Sequence, residues 1–123
     1  MAKGDDILKR LELFSVAVIR ICEALPKSPS ATHIARQLPR CGTAAAPNYA
    51  EGRSGESPRD FVHKLGIALK ELNESMVWLE TLQHMHLIHD RTLDTARTEC
   101  DQLCRILATS IKTASRRAPP LVP

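Results

Sequence analysis

From Phe61 onward, apolar residues return every three or four positions: Leu65, Ala68, Leu72, Met76, Leu79 and Leu82. That spacing is the period of an α-helix with one apolar face. Ser57-Pro58 supplies its start, with serine as the cap, proline at the first helical position and Asp60 three residues after the cap. The pattern predicts a helix from Pro58 to Met85, about seven turns long. Such a helix cannot bury its stripe alone and needs neighbours of similar length.

The rest of the chain offers such neighbours. Leu8, Leu11, Phe14, Val18, Ile21, Cys22 and Leu25 make a first amphipathic helix, with Asp5 or Asp6 as the expected cap and Pro26 as the stop. Leu13, Val16, Ala17 and Ile19 widen its apolar surface, so it needs partners on two sides, and another subunit can be one of them. Ile34, Ala35, Leu38, Cys41 and Ala45 give a second helix, capped by Ser30 or Thr32. Pro39 and Pro47 lie inside it, and each removes a backbone donor, so the segment is expected to kink or to split in two. Leu93, Ala96, Cys100, Leu103, Leu107, Ile111 and Ala114 make a last helix to Ser115, capped by Asp90 or Thr92. No strand pattern or domain linker competes. The expectation is one all-α domain over residues 1–123, an up-down-up-down four-helix bundle with a kinked second helix and a frayed tail from about 117.

Apolar residues are 43% of the chain but aromatics only 3%, which suits helix packing better than a β-sandwich. The net charge of +3 is mild, but residues 105–123 carry Arg105, Lys112, Arg116 and Arg117 without one acid. Cys22, Cys41, Cys100 and Cys104 have no CxxC spacing and read as small buried hydrophobes. There is no apolar run long enough to span a bilayer and no leader-like opening, so a reducing cytoplasm is expected.

Chemistry-bearing patterns are sparse. Asn48 with Glu51, and Glu71 with Glu74, share helix faces and suggest paired carboxylates, but no Glu-x-x-His accompanies them as a di-iron bundle requires. Arg36 or Arg40 are the expected partners of this cluster. His63, His84, His86 and His89 lack the further ligands a zinc site needs. No nucleophile elbow or phosphate loop is present. Trp78 reads as packing rather than as a base-stacking platform. Arg36, Arg40, Arg53, Arg59 and Lys64 gather around the second helix, the GRSGE loop and the start of the third. With Arg116 and Arg117 they form the candidate phosphate-contacting set.

The stretch QLPRCGTAAAPNYAEGRSGESPRDFVHKLGIALKELNESMVWLETL resembles the bacterial 23S rRNA intervening-sequence proteins, also called four helix bundle proteins. The matching positions are Arg40, Asn48, Ala50, Glu51, Gly52, Ser57, Phe61, Lys70, Glu71, Glu74, Trp78 and Leu79, and the first helix ending in Leu25-Pro26-Lys27 fits too. Pro39 and Pro47 depart from the pattern. The resemblance implies a cytoplasmic bundle that forms a ring-like homo-oligomer, a pentamer, without enzymatic activity, cofactor or metal. Some members are encoded inside insertions of large-subunit rRNA genes. A related branch, the accessory variability proteins of diversity-generating retroelements, forms basic pentamers that bind nucleic acid and a reverse transcriptase. The expected partners are therefore other copies of the chain, RNA or DNA, or a partner protein. The alternatives are a scaffold that binds only protein and, less favoured, a metal-binding bundle. Asn48, Glu51, Gly52, Glu71, Glu74 and Trp78 are the implied structural signature.

Overall fold

The computed structural model describes residues 3–117. The expected tail, Ala118–Pro123, lies outside the described residues. Five helices follow one another: α1 (Lys3–Ala24), α2 (Pro29–Gly42), α3 (Ala45–Arg53), α4 (Pro58–Met85) and α5 (Asp90–Ser115). No strand occurs among the described residues, and the helices pack as a bundle. The expected second helix is α2 and α3 in series.

The break between them has a local cause. A continuous helix would send the Pro47 N–H to the Thr43 carbonyl, and proline has no such hydrogen. The chain parts at Thr43 and Ala44, both still near helical angles. Thr43 turns back to Pro39, its N–H donating to that carbonyl at 3.0 Å and its hydroxyl at 2.6 Å. Pro47 then falls in the first turn of α3, where its missing donor costs little. Pro39 stays inside α2.

Ser57 caps α4 as expected, its hydroxyl accepting from the Asp60 N–H at 3.1 Å. The other caps differ from the sequence reading. Helix α2 is capped by Ser28, because Pro29 takes the first helical position and holds the residue before it extended. Helix α5 is capped by His89, whose Nδ1 accepts from the Arg91 N–H at 3.2 Å. Asp5 and Asp6 lie within the first turn of α1 and complement its positive end. At the far end of α4, His86 closes the helix in the left-handed conformation, with φ 55°.

Helix α4 packs on α5, α3 and α2, while α1 packs on α2, α5 and α3. The fully buried leucines come from four helices: Leu11, Leu38, Leu65, Leu72, Leu79, Leu82, Leu93, Leu103 and Leu107. Each removes about 1.5–3 kcal/mol worth of apolar surface from water. Polar and charged side chains lace α4 to α5 outside this core, Arg97 reaching Glu80 at 3.4 Å and Gln83 reaching Asp94 at 2.9 Å.

Two glycines differ in what surrounds them. A methyl on Gly42 would come 2.8 Å from Val18 Cγ1, so α1 and α2 touch there with no room to spare. A methyl on Gly66, inside α4, would meet nothing within 4 Å. Gly42→Ala should therefore destabilise by roughly 1–3 kcal/mol through overpacking. Gly66→Ala should stabilise by roughly 0.5–1 kcal/mol through helix propensity. Urea unfolding at one fixed protein concentration checks both signs.

Candidate nucleic-acid interface

The predicted basic set separates into distinct situations. Arg53 ends α3, and its guanidinium lies across the first turn of α1. A methyl on Gly4 would be 2.6 Å from Arg53 Nε, so glycine is what lets the side chain cross. Arg53 pairs with Asp5 at 2.9 Å and its charge sits 6.0 Å from the Tyr49 ring centre. Beside it opens a cavity of about 490 Å³, which Arg53, Ser57, Ser110, Thr113 and Arg117 line together. The end of α3, the start of α4 and the end of α5 thus meet at one end of the bundle. Two basic groups 64 positions apart in sequence (Arg53 and Arg117) share one opening.

The remaining members lie outside that cavity. Arg40 donates to Glu74 Oε2 at 2.9 Å and to Gln37 Oε1 at 3.3 Å. Lys64 faces Glu51 at 3.4 Å. Arg36 is exposed on α2, Arg116 is exposed just after α5, and Arg59 is exposed but engaged within the chain. These surface pairs are weak, of order 0–1 kcal/mol, and a phosphate can compete for such a side chain. They still lower the positive charge that the sequence alone suggests.

Three of the four members of the polar constellation are held by contacts of this kind, Glu71 being the exception. Glu74 has Arg40, and Glu51 has Lys64. Asn48 spends its amide on the Ala44 carbonyl at 2.9 Å. No group of three His, Cys, Asp or Glu among the described residues is placed to hold a metal ion. His86 and His89 serve as caps of α4 and α5.

Sequence reasoning named Asp5 only as a helix cap and did not single out Ser110 or Thr113. Their signal was faint: hydroxyls at Thr109, Ser110 and Thr113 recur at helical spacing beside the basic end of α5. It also missed a larger groove of about 1250 Å³ between α1 and the start of α5, lined by Leu13, Ala17, Arg20, Ile88 and Thr95 among others.

This geometry coincides with a sequence match. The 23S rRNA-intervening sequence protein family matches residues 5–109. The chain belongs to that family. A solved structure from Bacteroides thetaiotaomicron, described as a protein with unknown function from the S23 ribosomal protein family, has the same fold. It is 27% identical, with a TM-score of 0.80, over 86% of this chain and 98% of the other. No curated protein matches the chain. Among the described residues, no helix is long and apolar enough to cross a membrane.

Two of the implied signature residues, Gly52 and Trp78, sit where helices pack on one another. A methyl on Gly52 would come 3.0 Å from Leu65 Cδ1, so glycine lets α3 lie close on α4. Trp78 meets His33 edge-on at 5.9 Å, linking α4 to α2, and its buried Nε1 finds no acceptor. One Glu71 oxygen is likewise buried without a hydrogen bond.

All four cysteines are free thiols, Cys41 and Cys100 buried, Cys22 and Cys104 half-buried. Burial raises the Cys22 pKa to about 11. Cys100 donates to the Leu72 carbonyl at 3.2 Å and lies one turn before Cys104. Hydrogen bonding from Cys100 favours the Cys104 thiolate and lowers its pKa, against the opposing effect of burial, while the same contact and burial raise that of Cys100. Cys104 should therefore be the first cysteine alkylated by iodoacetamide at pH 8. Cys100→Ala should slow that reaction, since the neighbouring sulfur contact that favours the Cys104 thiolate is lost. Peptide mass mapping over time reads both, and faster labelling of Cys22 would contradict the assignment.

Proposed function

We propose that this intervening-sequence family member is a non-enzymatic, self-associating helical bundle that binds the phosphate backbone of RNA or DNA. The observation that carries the reading is the cavity where Arg53 and Arg117 converge with Ser57, Ser110 and Thr113. Cationic and hydroxyl donors around one opening suit phosphate oxygens, with no base-reading element required. Arg116 extends the patch, and Arg36, Arg40, Arg59 and Lys64 form an outer set for a longer backbone. The proposed assembly is a ring-like pentamer of up-down-up-down bundles in the cytoplasm. Two observations support the helix order: the end of α1 and the start of α5 line one groove, and the start of α1 and the end of α5 line the other cavity.

A second reading, a protein-interaction scaffold without nucleic acid, is favoured by the pairing of Arg40, Arg53 and Lys64 with carboxylates. Gel shift with a structured RNA and a duplex DNA separates the two. The primary reading expects complexes at 50 mM salt that weaken by about 40-fold at 200 mM if three duplex phosphates are neutralised. Arg116→Glu with Arg117→Glu should abolish the shift and leave the helical content unchanged. Absence of any shift at 50 mM salt removes nucleic-acid binding and leaves the scaffold. Light scattering reads the assembly, with five chain masses expected.

A further inference from the structure

Away from the basic end, one pair of reactive side chains takes no part in the proposed function. Cys100 and Cys104 lie one turn apart on α5, on the side that packs against α4. Two consecutive residues of α4 receive them. Cys100 Sγ donates to the Leu72 carbonyl at 3.2 Å, and Cys104 Sγ donates to Asn73 Oδ1 at 3.5 Å. The two sulfurs therefore face the same spot on α4, and they are also close enough to hydrogen-bond to each other. Cys100 is fully buried, while Cys104 is half-buried and gives the pair a side open to solvent. The other two thiols come from other helices: Cys22 from α1, and Cys41 from α2, where it turns to the Gln37 and Leu38 carbonyls at 3.4 Å.

Spacing decides what this pair can close around. Residues four apart on a helix have Cβ atoms about 5–6 Å apart. A disulfide wants them at about 3.5–4.5 Å, so a direct S–S bond requires the backbone of α5 to move. One atom held between the sulfurs requires no such movement, because two bonds then span the gap. Zinc does not suit it, since zinc takes four ligands and no third His, Cys, Asp or Glu among the described residues is placed to join the pair. A soft monovalent ion with a filled d shell is satisfied by two thiolates in a line, and thiolate donors select Cu(I). Charge points the same way. When Cys104 is ionised, one proton serves two sulfurs. A monovalent ion in place of that proton leaves the net charge of the half-buried pair unchanged. Asp101 adds negative charge beside Cys100, partly offset by Arg105 at 3.0 Å.

We propose that Cys100 and Cys104 form a two-thiolate binding site for Cu(I) on the side of α5 that faces α4. The ion enters past Cys104, and the Leu72 carbonyl and Asn73 amide line the inner wall. The site is independent of nucleic-acid binding and of assembly, and it uses neither Cys22 nor Cys41.

Anaerobic titration of the reduced full chain with Cu(I), against a chromophoric Cu(I) chelator, tests it. The natural protein should withdraw one equivalent of copper per chain from the chelator. That first equivalent should block iodoacetamide labelling of Cys104 and leave labelling of Cys22 unchanged, as read by peptide mass mapping. Cys104→Ser should lose the equivalent while keeping its helical content by circular dichroism, because this position is half-exposed. Cys100→Ser should lose it too, and Cys22→Ser should retain it. Failure of the natural protein to compete with the chelator overturns the proposal. So does copper that leaves Cys104 open to labelling, or an equivalent retained by Cys104→Ser and lost by Cys22→Ser.

Discussion

A 28-residue helix presents about 42 Å of apolar stripe, and every part of it must be covered. The 26-residue α5 nearly matches that length and covers one side. On the other side neither α2 nor α3 is long enough alone, but residues 29–53 together are. The bundle therefore depends on the break at Thr43 and Ala44 keeping the two pieces in line. Pro47 withholds the donor that would make one helix, yet Thr43 and Ala44 hold near-helical angles, and Gly42 admits Val18 against the backbone. The junction is a break within a continuous covering, and the core runs past it through Leu38, Cys41, Ala45 and Tyr49.

What was legible in the sequence follows from which signals are local. The stripe of α4 and its Ser57-Pro58 start depend on neighbours three and four residues away, and both appear as read. The split of the second helix was also readable, because proline acts on the carbonyl four residues before it. Caps were less legible. Ser28, Ser30 and Thr32 all have the side chain a cap needs, and the choice falls to Pro29. His89 lies outside the usual cap set, and nothing in composition signals that its ring will turn back to Arg91. The candidate interface was least legible. Its two arginines lie 64 positions apart in the chain, and their convergence is a product of how α1, α3, α4 and α5 end together.

Charge distribution divides the surface into two kinds. Over much of the bundle, arginines are held by acids on adjacent helices, as with Arg10 and Glu99, Arg40 and Glu74, and Arg97 and Glu80. These contacts do more to fix how helices sit than to add stability. At the basic end Arg53 keeps such a pair with Asp5, while Arg116 and Arg117 have no ion-pair partner among the described residues. A multimer that leaves these basic ends open presents several at once and gains affinity from their number.

The left-handed His86 carries a consequence for how the chain assembles. An L-residue in that conformation costs roughly 1–2 kcal/mol, a cost glycine would avoid. The reversal between α4 and α5 is thus disfavoured when considered alone. Its geometry is imposed once Leu79, Leu82 and Leu93 are buried together. In energetic terms, the turn does not hold the hairpin; the docking of the two longest helices offsets its cost.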